Sequence, residues 1–312
     1  MHRFKFILYR PVQLIPVLFG ISIVTFVLIH AIPGDPARLL LGAKATPEAV
    51  AAIHAKYGLD RTVAVQYLFF IWNLLQGQLG LSIIYKAPVL LVVADRIIPT
   101  LFLLSYAVVL AVVLSVVLGS LAAAHRGRAI DQAIRLFSTI GLGLPAFWLG
   151  IVLIMLLSID LGWFPVSGYG DDLPDRLHHL FLPASTVALA IAPVLTRNLR
   201  ASLIAESTAD YVSAAKAKGL PRHVIFFHHI FRNSLIPTVN LLGVNIGWLI
   251  GGTVVVETVF SVPGLGSLLV SSIFARDYLV VQAVTLMLAL GVVATNFLVD
   301  VVTVALDPRI QP

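Results

Sequence analysis

The chain has 312 residues, 59% of them hydrophobic and 12% charged, with a mean hydropathy of +0.98. Soluble domains carry about 25% charged residues, so a soluble globular enzyme is excluded and the chain's solvent is mostly lipid. Cysteine is absent, which removes disulfides, thiol catalysis and cysteine-ligated metals, and 21 Lys and Arg against 15 Asp and Glu give +6, a surplus that in a membrane chain anchors cytoplasmic loops rather than nucleic acid.

A spanning helix needs roughly 20 mostly apolar residues, and charges mark where candidates end. In chain order, uncharged runs lie between Arg10 and Asp35, Arg96 and Arg126, Arg135 and Asp160, Arg176 and Arg197, Arg232 and Glu257, and Asp277 and Asp300. These predict six spans. The first occupies residues 1–32, and the apolar run there is too long for a cleavable signal peptide. An extracytoplasmic segment over 33–98 follows. It has turn signals at Pro33–Pro36 and Gly77–Gly80, a helix starting near Thr46 with Pro47 in its first turn, and a 13-residue apolar stretch, Val63 to Leu75. That stretch is too short to span and reads as an interfacial or buried helix.

A five-helix core is expected over 99–306, with a cytoplasmic loop over 198–234 and a short tail over 307–312. Pro145 removes a backbone donor from the third span and predicts a kink. The run from Thr258 to Ala275 contains Pro263, Gly264 and Gly266 and reads as a loop or re-entrant hairpin. Six spans put Arg3, Lys5 and Arg10, then Arg126, Arg128 and Arg135, then the basic stretch Arg197–Arg232 on one face. The positive-inside rule makes that face cytoplasmic, with both termini there.

The largest basic loop contains Asp210-Tyr211-Val212-Ser213-Ala214-Ala215-Lys216-Ala217-Lys218-Gly219-Leu220-Pro221. Its alanines favour a helix of almost no side-chain bulk. Gly219 can take the positive φ that ends a helix, and Pro221 stops its continuation. Lys216, Lys218 and Arg222 supply basic flanks. Such a helix can lie on anionic lipid headgroups or against another protein, and the residues alone leave both open. In the fifth span, Gly243, Gly247 and Gly251 share one helix face and permit close backbone approach, either within the chain or to a second subunit. Asn240 and Asn245 are polar within the same span and avoid lipid, as interhelical hydrogen-bonding groups or lining a path, as Pro145 could.

The loop resembles the cytoplasmic coupling motif of ABC importer permeases, with Ala215 and Gly219 at its spacing and Ser213 in place of the acidic residue that often precedes the alanines. Further fragments resemble the dipeptide/oligopeptide/nickel branch of that family: His30–Ala37, Tyr57–Asp60, Val65–Tyr67, Gly141–Trp148, Arg232–Pro237, Glu257–Gly266, Arg276–Tyr278 and Leu306–Arg309. They run in order over nearly the whole chain.

The resemblance implies an all-α polytopic permease of a bacterial inner membrane. It implies pairing with a second permease, a paralogue, docking of two ATPase subunits that hold ATP and Mg, and delivery of a short peptide by an extracytoplasmic binding protein. It places Asp210, Tyr211, Ala214, Ala215, Lys218, Gly219 and Arg222 against the ATPases. A nickel chelate, glutathione or another small solute is the alternative cargo.

The chain itself is read as no enzyme and as binding no cofactor. It has no G-x-x-x-x-G-K-[ST] phosphate loop, no G-x-S-x-G elbow and no H-E-x-x-H zinc motif. Neither His178-His179 nor His228-His229 is read as having a nearby carboxylate at the i+3 or i+4 ligand spacing, so no metal is expected there. A stand-alone proton-coupled carrier would want an ionisable residue near mid-membrane, which the six runs lack.

Overall fold

The computed structural model describes residues 15–27, 45–57 and 60–306. The flanks of the first span, the Pro33–Pro36 turn, the His30–Ala37 fragment, Gly58-Leu59, and the tail 307–312 with Asp307–Arg309 lie outside the described residues. Those described form helices and connecting turns, with one isolated antiparallel bridge, Leu81 to Pro88.

Helix α1 (Ile15–Val27) packs on α3 (Val63–Leu75) through Phe26, whose ring centroid lies 5.3 Å from that of Tyr67, and through Ser22, whose hydroxyl is 2.7 Å from the Tyr67 hydroxyl. Between them, α2 (Pro47–Tyr57) starts where Thr46 Oγ1 accepts from the Ala49 N–H at 3.3 Å. No residue of α3 is buried, so of the two readings for that stretch the interfacial one fits and the core helix does not.

Helix α4 (Val89–Ala124) begins ten residues before Pro99 and carries that proline inside it. The division expected at 98/99 therefore falls within one continuous helix. Ala107, Ala111, Ser115 and Gly119 recur every four residues on its buried face. This stripe of small residues lets α7 (Leu173–Ser207) come close: a Cβ on Gly119 would sit 3.2 Å from Leu199. Helix α7 is the centre of the molecule, with 67% of its apolar stretch buried against 28% for α4. The largest apolar cluster joins Leu103 and Ala107 of α4, Leu180, Ile191 and Leu195 of α7, and Leu249 and Phe260 further along the chain.

The third expected span is not one kinked helix. Helices α5 (Ala129–Gly143) and α6 (Ala146–Asp160) meet at 110° across Leu144 and Pro145. Leu144 is extended (ψ 127°), the conformation that a following proline imposes, and Pro145 then caps α6 at φ −64°. The last seven residues of α6, Ile154–Asp160, widen into a π-helix.

After the short α8 (Asp210–Ala217), helix α9 runs Arg222–Val259 with a π-helical stretch at Ile225–Phe231. The Thr258–Ala275 run is a turn followed by a ten-residue helix, α10 (Leu265–Phe274), rather than a loop. Helix α11 (Tyr278–Leu306) closes the bundle, and Val280 and Val284 pack with Val93 of α4 and Leu268 of α10. Among the described residues, α4, α7, α9 and α11 are long and apolar enough to cross a membrane, and the bent α5–α6 pair makes a fifth if it is one span.

Candidate functional site

Helix α8 follows α7 after a two-residue turn at Thr208-Ala209. Asp210 in its first turn and Lys216 in its last both complement the helix dipole. The Gly219 N–H donates to the Lys216 carbonyl at 3.0 Å and the Leu220 N–H to the Ala215 carbonyl at 3.3 Å, with Gly219 at φ +74°. This is the paired-bond ending that a left-handed residue makes, and Pro221 follows to begin α9.

One face of α8 is used internally. Val212 (0% exposed) and Ala215 (6%) lie three residues apart and pack on Ile225 (4%) of α9. Ala215, expected at the ATPase contact, lies on the buried face of α8 in this chain. The opposite face leaves Asp210, Ala214, Lys218 and Gly219 exposed, with Arg222 beyond it. No atom outside its own neighbours lies within 4 Å of where a Gly219 Cβ would be.

Tyr211 is both partly exposed and tied down. Its hydroxyl donates to the Glu206 carboxylate at the end of α7 and accepts from Asn233 Nδ2 of α9 at 3.1 Å. Burial, and then the neighbouring carboxylate, raise the phenol above its ordinary pKa. The side chain therefore fastens α8 to both long helices that flank it.

A second tie lies nearby. Asp131, in the first turn of α5 and ahead of the uncharged run, is 1% exposed and receives a two-pronged bond from Arg200 of α7: Nε to Oδ1 at 2.6 Å and Nη2 to Oδ2 at 2.7 Å. The Gly127 N–H adds a third bond at 2.9 Å. The Arg200 bond, outweighing burial, lowers the Asp131 pKa from 3.8 to about 2.

The three glycines of α9 differ. A Cβ on Gly243 would lie 2.0 Å from Val299 Cγ1, and one on Gly247 would lie 3.4 Å from Val292 Cγ1, so both serve contact with α11 in the same chain. Gly251 faces open space. Asn245 Nδ2 donates to the Leu241 carbonyl of its own helix at 2.7 Å, and Asn240 is half-buried on the same helix. Pro145 stands at the α5–α6 break rather than within a kinked span.

The histidines meet protein groups. His178 Nε2 is 2.9 Å from the Trp163 carbonyl, and His179 Nδ1 lies 3.1 Å from Asp175 Oδ1. Asp175 precedes His179 by four residues, so the expected lack of a carboxylate at that helical spacing does not hold for this pair. Among the described residues, no three His, Asp or Glu side chains gather in a group that could hold a metal ion.

Sequence reasoning gave Glu257 no role. Its side chain is fully buried, with Oε1 accepting from the Thr100 hydroxyl of α4 at 2.7 Å. Its Oε2 accepts from the Gly266 and Ser267 N–H groups at the start of α10, at 2.7 and 3.1 Å. Thr100 Oγ1 in turn accepts from the Leu265 N–H at 2.8 Å. A carboxylate satisfying orphan N–H groups at a helix N-terminus is strongly placed. The glycines of the Glu257–Gly266 fragment now have a reason: a Cβ on Gly264 would lie 2.4 Å from the Glu257 carboxyl, and one on Gly266 would lie 2.4 Å from Val254 Cα. The signal was present in the sequence as an acidic residue seven positions before the Gly-Leu-Gly-Ser run that starts the helix. Asp131 likewise could have been noticed as the one acid within the Arg126–Arg135 basic segment.

Residues 115–312 match the family described as the binding-protein-dependent transport system inner membrane component, and residues 3–105 match the N-terminal component of such membrane proteins. The oligopeptide transport system permease protein AppB of Bacillus subtilis is 40% identical, covering 98% of this chain and 99% of its own length. The glutathione transport system permease protein GsiC of Escherichia coli K12 is 38% identical, covering 98% and 99%. In fold, the chain is similar to the MetNI methionine ABC transporter in an inward-facing conformation (TM-score 0.56, 18% identity, 69% of this chain and 96% of that one). It is also similar to an amino acid ABC transporter (TM-score 0.53, 13% identity, 69% and 94%). Matches to two family segments that together cover nearly all of its length, and near-complete alignment with two permeases, make the chain a member of the binding-protein-dependent transport family, a permease subunit of an ABC importer.

Proposed function

We propose that this chain is one of two permeases of an ATP-driven importer of dipeptides and oligopeptides. In this reading it forms six spans in a bacterial inner membrane with both termini cytoplasmic, and residues 33–98 form an extracytoplasmic part. A paralogous permease pairs with it, two ATPase subunits that hold ATP and Mg dock on α8, and an extracytoplasmic binding protein delivers the cargo. The observation that carries this reading is α8 itself. It is a short helix, anchored by Val212, Ala215 and Tyr211, that leaves a smooth Ala214–Lys218–Gly219 face exposed among the described residues.

The anchoring has a mechanical meaning. A force applied to α8 passes to α7 through Tyr211 and Glu206 and to α9 through Asn233 and Ile225, because buried contacts resist relative sliding. Closure of an ATPase pair would thereby reorient two long helices together. Ala215 is then a packing residue beneath the contact, and Ala214, Lys218, Gly219 and Arg222 are the contact. Gly251, alone of the three glycines in facing open space, is assigned to the permease–permease interface. Glutathione or a nickel chelate is the alternative cargo, the former favoured by the likeness to GsiC.

The test is isolation of the tagged chain from its native membrane in mild detergent, with mass spectrometry of what accompanies it and ATP-driven uptake of a labelled tripeptide after reconstitution. Recovery of a second permease and P-loop ATPases with ATP-dependent uptake is the expected result. A chain that emerges alone and moves solute on a proton gradient would overturn the reading.

A further inference from the structure

Helices α4 and α7 run side by side in the same direction. Gly119 meets Leu199 near their C-terminal ends, and Arg96 and Arg176 line one cavity near their N-terminal ends. Helix α8 follows the C-terminus of α7, so that cavity lies at the end of the bundle opposite α8. From Arg176 to Ser207 the separation along the axis is about 45 Å, at about 1.5 Å per residue.

The cavity measures about 580 Å³, within the range of small-molecule sites. Arg96 makes no hydrogen bond or ion pair among the described residues, and it is only half-exposed. The adjacent Asp95 lines the same cavity but forms no ion pair with Arg96 among the described residues. Arg176 is fixed instead of free: Nη2 donates to the Asp171 carbonyl at 3.0 Å, and the guanidinium lies 4.9 Å over the Tyr169 ring. Tyr85 and Pro263 contribute apolar wall. Two guanidinium groups against one carboxylate leave a net positive site at which an anion finds unspent donors.

We propose that this cavity is an acceptance site for the termini of a zwitterionic short peptide, resting on the importer reading above. The peptide's carboxylate is received by Arg96, with Arg176 as the fixed second cation. Its ammonium group is received by Asp95, and its side chains lie against Tyr85, Tyr169 and Pro263. The site would hold cargo on the face opposite the energy-coupling helix before it moves inward.

The test uses the complete complex isolated from its native membrane, in nanodiscs with the binding protein washed away. Trialanine, trialanine amide and N-acetyltrialanine are titrated, and binding is read by saturation-transfer NMR. Trialanine should bind, and the amide should bind about tenfold more weakly, as for loss of one charge-assisted bond. Arg96→Gln should abolish the preference for acid over amide, and Asp95→Asn should abolish only the preference for the free amine. Arg96 has no partner among the described residues, so its variants retain the fold, and Arg96→Glu should reverse the preference towards the amide. Absence of trialanine binding, equal binding of acid and amide to the unaltered complex, or an unchanged preference in Arg96→Gln would each overturn the proposal. The two readings separate cleanly. ATP-driven uptake with equal acid and amide binding refutes this site alone. A carboxylate preference without ATP-driven uptake refutes the importer reading and leaves the site.

Discussion

Replacing Glu257 tests whether the junction of α4, α9 and α10 is held by one side chain. The carboxylate takes three hydrogen bonds, from the Thr100 hydroxyl and the Gly266 and Ser267 N–H groups, in a fully buried position. Glu257→Ala orphans all three donors, and each unsatisfied buried donor costs about 1–3 kcal/mol. Water entering the vacated space recovers part of this, so a net loss of about 3–5 kcal/mol is expected. Glu257→Gln is milder. Its amide oxygen can serve Gly266 and Ser267, but its NH₂ then meets Thr100 Oγ1, which already accepts from the Leu265 N–H, and the Thr100 hydroxyl proton loses its acceptor. One lost bond of this kind is worth about 1–3 kcal/mol. Denaturant unfolding of the detergent-solubilised chain gives the totals, and amide exchange at Gly266 and Ser267 localises them. A Glu257→Ala variant within about 1 kcal/mol of the parent, on the scale of an ordinary surface substitution, would refute the reasoning.

The other predictions concern the cytoplasmic ties and the glycines. At Gly219, φ +74° costs a β-carbon about 1–2 kcal/mol with no clash inside the chain. Gly219→Val should therefore leave the chain inserted and abolish uptake, whereas Gly219→Asn, which tolerates the left-handed conformation, should preserve the turn and reveal whether side-chain bulk alone blocks docking; full uptake by an inserted Gly219→Val chain would contradict the assignment. The Asp131 carboxyl, with its pKa lowered to about 2, adds stability that is complete above its ordinary value of 3.8 and is lost as pH falls through about 2. Acid unfolding profiles should accordingly lose that component in Asp131→Asn. Gly243→Ala places a methyl 2.0 Å from Val299 and should destabilise by about 1–3 kcal/mol in thermal unfolding. A methyl at Gly251 meets nothing among the described residues, so Gly251→Ala should fold as the parent does while weakening co-purification of the second permease.

The sequence carried a large part of this fold because membrane helices are written in long uncharged runs whose ends charges mark. The α2 start at Pro47, the 13 residues of α3 and the Gly219 ending of α8 follow from local chemistry, and each stands where that chemistry puts it. What depends on pairs far apart in the chain was not legible. Thr100 and Glu257 are 157 residues apart, and Asp131 and Arg200 are 69 apart, so no periodicity reveals them. Hydropathy counts also cannot distinguish a kink from a reversal. The uncharged run across Pro145 has the length of a span, and the 110° turn comes from the extended Leu144 that the proline enforces. At α8, composition predicted a smooth helix, but its rotation was set by Ile225 and Val212, which turned Ala215 inward and left Ala214 outward.

The lengths of α4 and α7 have a consequence of their own. At 36 and 35 residues each is about 53 Å long, against about 30 Å of hydrocarbon. Some 20 Å of each rod therefore stands clear of the bilayer, shared between its two ends. Packed along a shared seam of small residues, the two rods form a beam rather than a pair of independent struts. A tilt of about 5° about its midpoint would carry either end through about 2 Å. A modest push on one side of the membrane would thus arrive on the other at undiminished amplitude, provided that the beam does not bend.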